Sequence, residues 1–244
     1  MITLFRSAIA LTLAMALTFV LSTAHAADDI SRVNGAIELE AGQQARNLST
    51  VNGSIRIGDD ARFNDADTVN GGIRAGHRVQ GGDLTTVNGA INLGEQAVVD
   101  SMTTVNGSIH AGRGLRAGDD IETVSGSIFI DRDGRVDGDV STVSSGIGLV
   151  ATEVTGDVET VSGDITVGIG SRVHGEVRVR KPGTSWLRIG SERLPRIVIG
   201  PDAVVDGAMV FEREVSLYVH ETARTGAITG ATATPFSTPR APRD

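Results

Sequence analysis

Four copies of Thr-Val-Asn-Gly occur at residues 50–53, 68–71, 86–89 and 104–107. Variants continue the series on both sides. The valines fall at Val33, Val51, Val69, Val87, Val105, Val124, Val143 and Val161, so one near-constant interval runs through the series. A fixed period of that size predicts a stack of similar coils, each too small to bury an apolar face alone.

Apolar residues alternate within each period, as in Ile55 and Ile57, Ile73 and Ala75, and Ile91 and Leu93. Alternation with β-branched residues reads as a half-buried strand. Extending that phase backward predicts Val51 and Gly53 inside, with Thr50, Ser54 and Arg56 outside. A second apolar set follows in each period: Ala61, Phe63 and Ala66, then Val79, Gly81 and Leu84, then Ala97, Val99 and Met102. Glycine recurs too often for helix. The reading is all-β: a single-stranded parallel β-helix (β-solenoid), about 18 residues per coil and three-sided. Val51, Ile57 and Phe63 mark its successive faces. Equivalent strands then stack at about 4.8 Å.

Asn34, Asn52, Asn70, Asn88 and Asn106 hold one position of the period, and Ser125, Ser144 and Ser162 continue it. Asn-Gly suits a bend because both residues tolerate positive φ. Stacked bends place each amide over the next, which predicts a hydrogen-bonded structural ladder. A catalytic asparagine has no need of five stacked copies. The sequons at Asn52 and Asn106 follow from the repeat itself.

All six prolines lie at or beyond Pro182, as expected if the preceding stretch is sheet, where proline cannot donate. Four regions follow. Residues 1–26 combine Arg6, an apolar run and Ala24-His25-Ala26, the layout of a signal peptide. Residues 27–180 form the regular repeats. Residues 181–231 read as irregular coils and a C-terminal cap, with Lys181 to Arg196 a protruding loop. Residues 232–244, with three prolines, read as a disordered tail.

The absence of cysteine removes disulfides and thiol nucleophiles. The net charge is −8, and loss of Arg6 with the leader takes it to −9, which argues against nucleic acid as a partner. Carboxylates at Asp59-Asp60, Asp119-Asp120 and Asp131 to Asp139 suit polar turns, since adjacent strand residues face opposite ways. The last group lacks the full calcium-loop pattern. His77, His110, His174 and His220 lack zinc-ligand spacing. We therefore expect no catalytic site, metal or cofactor. Arg178, Arg180, Lys181, Arg188, Arg193 and Arg196 form a basic run on an acidic chain, a candidate contact for an anionic partner such as envelope polysaccharide or lipid headgroups.

"TVNGSIRIG", "STVSSGIGLV" and "ETVSGDITV" resemble the rungs of adhesin-like β-solenoid domains, a large bacterial family of unknown function; the resemblance spans about residues 32–178. "PRIVIGPDAVVDGAMVFEREVSLYVHETARTGAITG" looks more like bactofilins, polymer-forming cytoskeletal β-helices. Both resemblances imply a right-handed helix. The expected function is an exported, non-enzymatic scaffold or adhesin-like protein of the bacterial envelope, periplasmic or at the cell surface. A self-assembling filament, associating through the solenoid ends, is the second expectation. A carbohydrate-active enzyme is the third.

Overall fold

The computed structural model describes residues 28–182 and 193–242. The signal-peptide reading of residues 1–26 lies outside the described residues, as do Trp186 and Arg188. Every described strand runs parallel to its neighbours, in three sheets that wrap one core. The first sheet has eleven strands, from Ile30–Asn34 to Ile228–Thr229. The second also has eleven, from Ile37–Leu39 to Ala233–Phe236. The third has seven, from Val98–Val99 to Arg224–Thr225. The bridges Gln44↔Arg62, Arg62↔Gln80 and Gln80↔Val98 carry this third side toward the N-terminal coils. Eleven rungs at about 4.8 Å give a rod roughly 48 Å tall.

Register follows the repeat. Ile55 pairs with Ile73 and Ile73 with Ile91, one period further on each time. The offset lengthens by one where Met102 meets Ile121 and Ile121 meets Val140. Stacking in register puts like on like, so a column of Ile37, Ile55, Ile73, Ile91 and Ile109 runs fully buried up the second sheet. The second apolar set is buried as expected, including Phe63, Ala66, Val79, Leu84, Val99 and Met102. Phe63 has room because Gly81 lies next along its column. A Cβ on Gly81 would sit 2.7 Å from Phe63 Cε1 and closer still to Cζ.

The phase expected for the Thr-Val step is reversed. Thr50 is buried and Val51 is 42% exposed. In the first sheet Leu48 and Thr50 point inward, whereas in the second Ile55 and Ile57 do. The inward set is even-numbered before the corner and odd-numbered after it, so extrapolating backward across the corner inverts it. Thr68, Thr86, Thr104, Thr123, Thr142 and Thr160 are buried likewise.

At Ile165↔Ile197 and Val177↔Met209 the offset nearly doubles, and the stack then resumes. The extra residues lie between strands Val177–Val179 and Arg196–Ile199, where the protruding loop was expected. The tail expectation needs correction. Ala233–Phe236 forms the last rung of the second sheet, pairing Tyr218↔Thr234 and His220↔Phe236. Phe236 is buried and meets the His220 ring edge-on at 5.0 Å. An open sheet edge and one apolar anchor suffice to order a short proline-containing strand at the end of a stack.

Candidate functional surfaces

The corner between the first and second sheets holds four aligned columns, one for each residue of Thr-Val-Asn-Gly. The asparagine column is a ladder. Asn52 Nδ2 donates to Asn34 Oδ1 at 3.0 Å, and the pattern continues through Asn70, Asn88 and Asn106 at 2.9, 3.0 and 3.0 Å. Ser125, Ser144 and Ser162, expected to continue the ladder, form no side-chain ladder among the described residues: Ser162 Oγ donates instead to the Val143 backbone carbonyl of the preceding coil at 3.1 Å.

The threonine column is a second ladder, concealed inside. Thr68 Oγ1 donates to the Gly53 carbonyl at 2.9 Å, and Thr86 Oγ1 to Gly71 at 2.8 Å. Thr50, Thr104, Thr123 and Thr142 repeat the bond to the glycine carbonyl of the preceding coil. This explains how a hydroxyl is tolerated inside, since a buried donor needs a partner.

Glycine is required here by crowding between coils. Gly53, Gly71, Gly89 and Gly107 are not among the positive-φ residues. A Cβ on Gly107 would lie 3.0 Å from the Ala90 nitrogen and closer still to the Gly89 carbonyl. Valine occupies the outward position left over. Val33, Val51, Val69, Val87, Val105, Val124 and Val143 make an exposed apolar stripe along the corner.

Gly35 opens the glycine column with a φ of +111°, but most positive φ belongs to a different turn, between the second and third sheets. Asp60, Arg78, Gln96, Asp133, Ala151 and Asp202 adopt it there, with Gly42, Gly114 and Gly170 in the same column. Asp59-Asp60 belongs to this turn; Asp119-Asp120 belongs to the corner before the first sheet, so the two pairs are not equivalent. Asp60 accepts two bonds from Arg78 at 2.8 and 2.7 Å, which hold its carboxyl below the usual range.

The other corner carries acids that sequence reading had not linked. Asp29 accepts from the Asn47 amide, Asp65 from Asp83, Asp120 from Asp139, Asp139 from Asp157 and Asp157 from Glu176. Their recurrence at the interval of the repeat was the available signal. Asp131 contacts Arg132, Asp133 pairs with Arg113 and Asp137 with Arg135. These carboxylates tie coils and turns together and do not converge on a common point. Asp67 stands apart. Partial burial, then the charges of Asp65 and Asp83, push its carboxyl up.

On the third face, His174 bridges Glu153 and Asp206, each at 2.9 Å, while Arg172 clasps Asp206 at 2.8 and 3.0 Å. The His174 bond is the chief cause holding Glu153 low, and the Arg172 bond holds Asp206 low. Among the described residues no group of three or more His, Asp or Glu is disposed to hold a metal.

The described members of the basic run do not form one patch. Arg178 pairs with Glu176, and Arg180 with Glu159, beside the first sheet. The Lys181 amide binds Glu212. Arg193 pairs with Asp164 at 3.0 Å, and the Arg196 amide binds the same carboxylate at 2.8 Å, beside the second sheet. Residues adjacent in sequence turn a corner here and end on two faces. Sequence reading also missed Phe236 and Arg240, which join Arg193 and Arg196 around a groove of about 630 Å³.

The fold and its ladders define a parallel β-solenoid whose polar groups join coil to coil. Comparison with family models, curated proteins and solved structures finds no match to this chain.

Proposed function

We propose that this chain is an exported, non-enzymatic β-solenoid scaffold of the bacterial cell envelope, adhesin-like in that it acts through a rigid repetitive surface. One observation carries the reading. The polar side chains with the strongest repeat, asparagine, threonine and aspartate, bond to the neighbouring coil. Such bonds stiffen a rod along its axis and leave a periodic exterior of valine and amide. The leader-like residues 1–26 support export to the periplasm or surface. Envelope polysaccharide or another surface ligand is the proposed partner class.

Fractionation of cells producing the untagged chain tests this. Recovery in periplasmic or surface fractions, with a mature N-terminus at Ala27, is the expected result. Recovery in the cytoplasm with Met1 intact overturns it.

A filament is the second reading, supported by the first rung. Ile30–Asn34 and Ile37–Leu39 each have a strand partner on one side only among the described residues, and open edges invite association. Pro235 in the last rung opposes growth from that end. Electron microscopy separates the readings: uniform short rods support the scaffold, and concentration-dependent filaments support the polymer. A glycan-degradation screen yielding product would favour a carbohydrate-active enzyme over both.

A further inference from the structure

The chain's last described residues build a groove. Ala233–Phe236 closes the second sheet, and the segment after it returns along the outer surface of that sheet. Arg196 Nη2 donates to the Pro242 carbonyl at 2.6 Å, fastening the returning segment, and the same guanidinium lies over the Tyr218 ring at 5.0 Å. Val198 shows the consequence. It holds the outward position of its strand, yet it is only 7% exposed.

The resulting groove has a volume of about 630 Å³, within the range of small-molecule sites. Its walls are apolar: Ile169, Val198, Pro201, Phe236 and Pro239. Ile169 is 56% exposed, a large apolar side chain open to the groove. Arg193, Arg196 and Arg240 also line it, and among the described residues no acidic one does. Asp164 accepts from both the Arg193 guanidinium and the Arg196 amide. Arg240 forms no ion pair among the described residues. A positive groove on a chain of net charge −8 is a local inversion of sign that focuses anions.

Apolar walls with guanidinium groups match one kind of molecule: an apolar chain ending in an anion. Guanidinium suits a carboxylate because two parallel N–H bonds can form at once. We propose that this groove binds a single long-chain carboxylate. Its head meets Arg240 and Arg193, and its chain lies over Ile169, Val198, Pro201 and Pro239. The inference goes beyond the scaffold reading and does not depend on it.

Calorimetric titration of the full chain with dodecanoate below its micellar concentration tests the proposal, with dodecanol and acetate as controls. Saturable binding of one dodecanoate per chain is expected, at least tenfold tighter than either control. Arg240→Gln, at an exposed side chain, should weaken it several-fold, and Arg193→Gln with Arg240→Gln at least tenfold. Ile169→Glu, which sets a negative charge in the groove, should abolish it. Arg56→Gln, on a distant coil, should leave it unchanged. Circular dichroism verifies that each variant keeps its sheet. Absence of saturable heat overturns the proposal. So does equal affinity for dodecanol, or indifference to the arginine variants. Binding only to phosphatidylglycerol vesicles, with none to free dodecanoate, identifies a membrane-surface contact and also overturns it.

Discussion

Replacing Gly107 by alanine tests why glycine recurs at the corner. The new Cβ would lie 3.0 Å from the Ala90 nitrogen and closer still to the Gly89 carbonyl. Carbon and carbonyl oxygen ordinarily approach no nearer than about 3.3 Å, and the obstacle is backbone, so the two coils must separate locally. Three bonds cross this point: Asn106 N to Val87 O at 2.8 Å, Asn106 Nδ2 to Asn88 Oδ1 at 3.0 Å, and Thr104 Oγ1 to Gly89 O at 3.0 Å. At about 1 kcal/mol net each, their loss costs about 3 kcal/mol. Gly42→Ala is the control. Its φ is +71°, but no atom lies within 4 Å of the added carbon. Left-handed strain of about 1–2 kcal/mol is there partly offset by the lower entropy of the unfolded alanine chain, leaving a loss of about 1 kcal/mol or less. Urea unfolding followed by far-UV circular dichroism ranks the two. Gly107→Ala should be the more damaging by about 2 kcal/mol, the difference between the lost bonds and the residual strain. Equal loss, or a greater loss at Gly42, would refute crowding as the reason for the glycine column and restore backbone conformation in its place.

Thr68→Val leaves the Gly53 carbonyl without its hydroxyl donor and should cost about 1–2 kcal/mol, while Val69→Thr at an exposed site should lie within about 0.5 kcal/mol of the parent; urea midpoints measure both. Phe63→Ala empties the space that Gly81 leaves open and should cost about 3–5 kcal/mol, with partial recovery when Gly81→Val is added, read from the same curves. Glu153 and Asp206 have folded-state pKa values below their ordinary values of 4.5 and 3.8. Their contribution is therefore present above those values and lost as pH falls through the lower folded ones. Melting temperature should fall less steeply below about pH 4 in Glu153→Gln/Asp206→Asn than in the parent. Asp67 has the opposite sign: its ionised form is disfavoured by folding, so Asp67→Asn should raise the melting temperature at neutral pH.

Much of the architecture was legible because a solenoid writes its tertiary contacts into its sequence. Each contact across a sheet joins residues one period apart, so Ile55 beside Ile73 and Asn52 beside Asn70 could be read as columns from the repeat. The phase at Thr50 and Val51 was not legible in this way. Both residue types are β-branched, and a corner between them and Ile55 shifts the alternation by one. The arginine cluster misled for a related reason. Proximity along the chain from Arg178 to Arg196 implied one patch, but the corner between two sheets leaves Arg178 and Arg180 with Glu176 and Glu159, and Arg193 and Arg196 with Asp164.

The period, the all-β character, the three apolar sides and the asparagine ladder belong to the sequence alone, because each is a local pattern repeated at the stacking interval. The tertiary structure decided which side of each corner faces the core. It also decided that glycine answers to a neighbouring carbonyl, and that Phe236 anchors a final rung. Those outcomes depend on how closely coils approach and where the chain turns. Neither distance is encoded in the spacing of like residues.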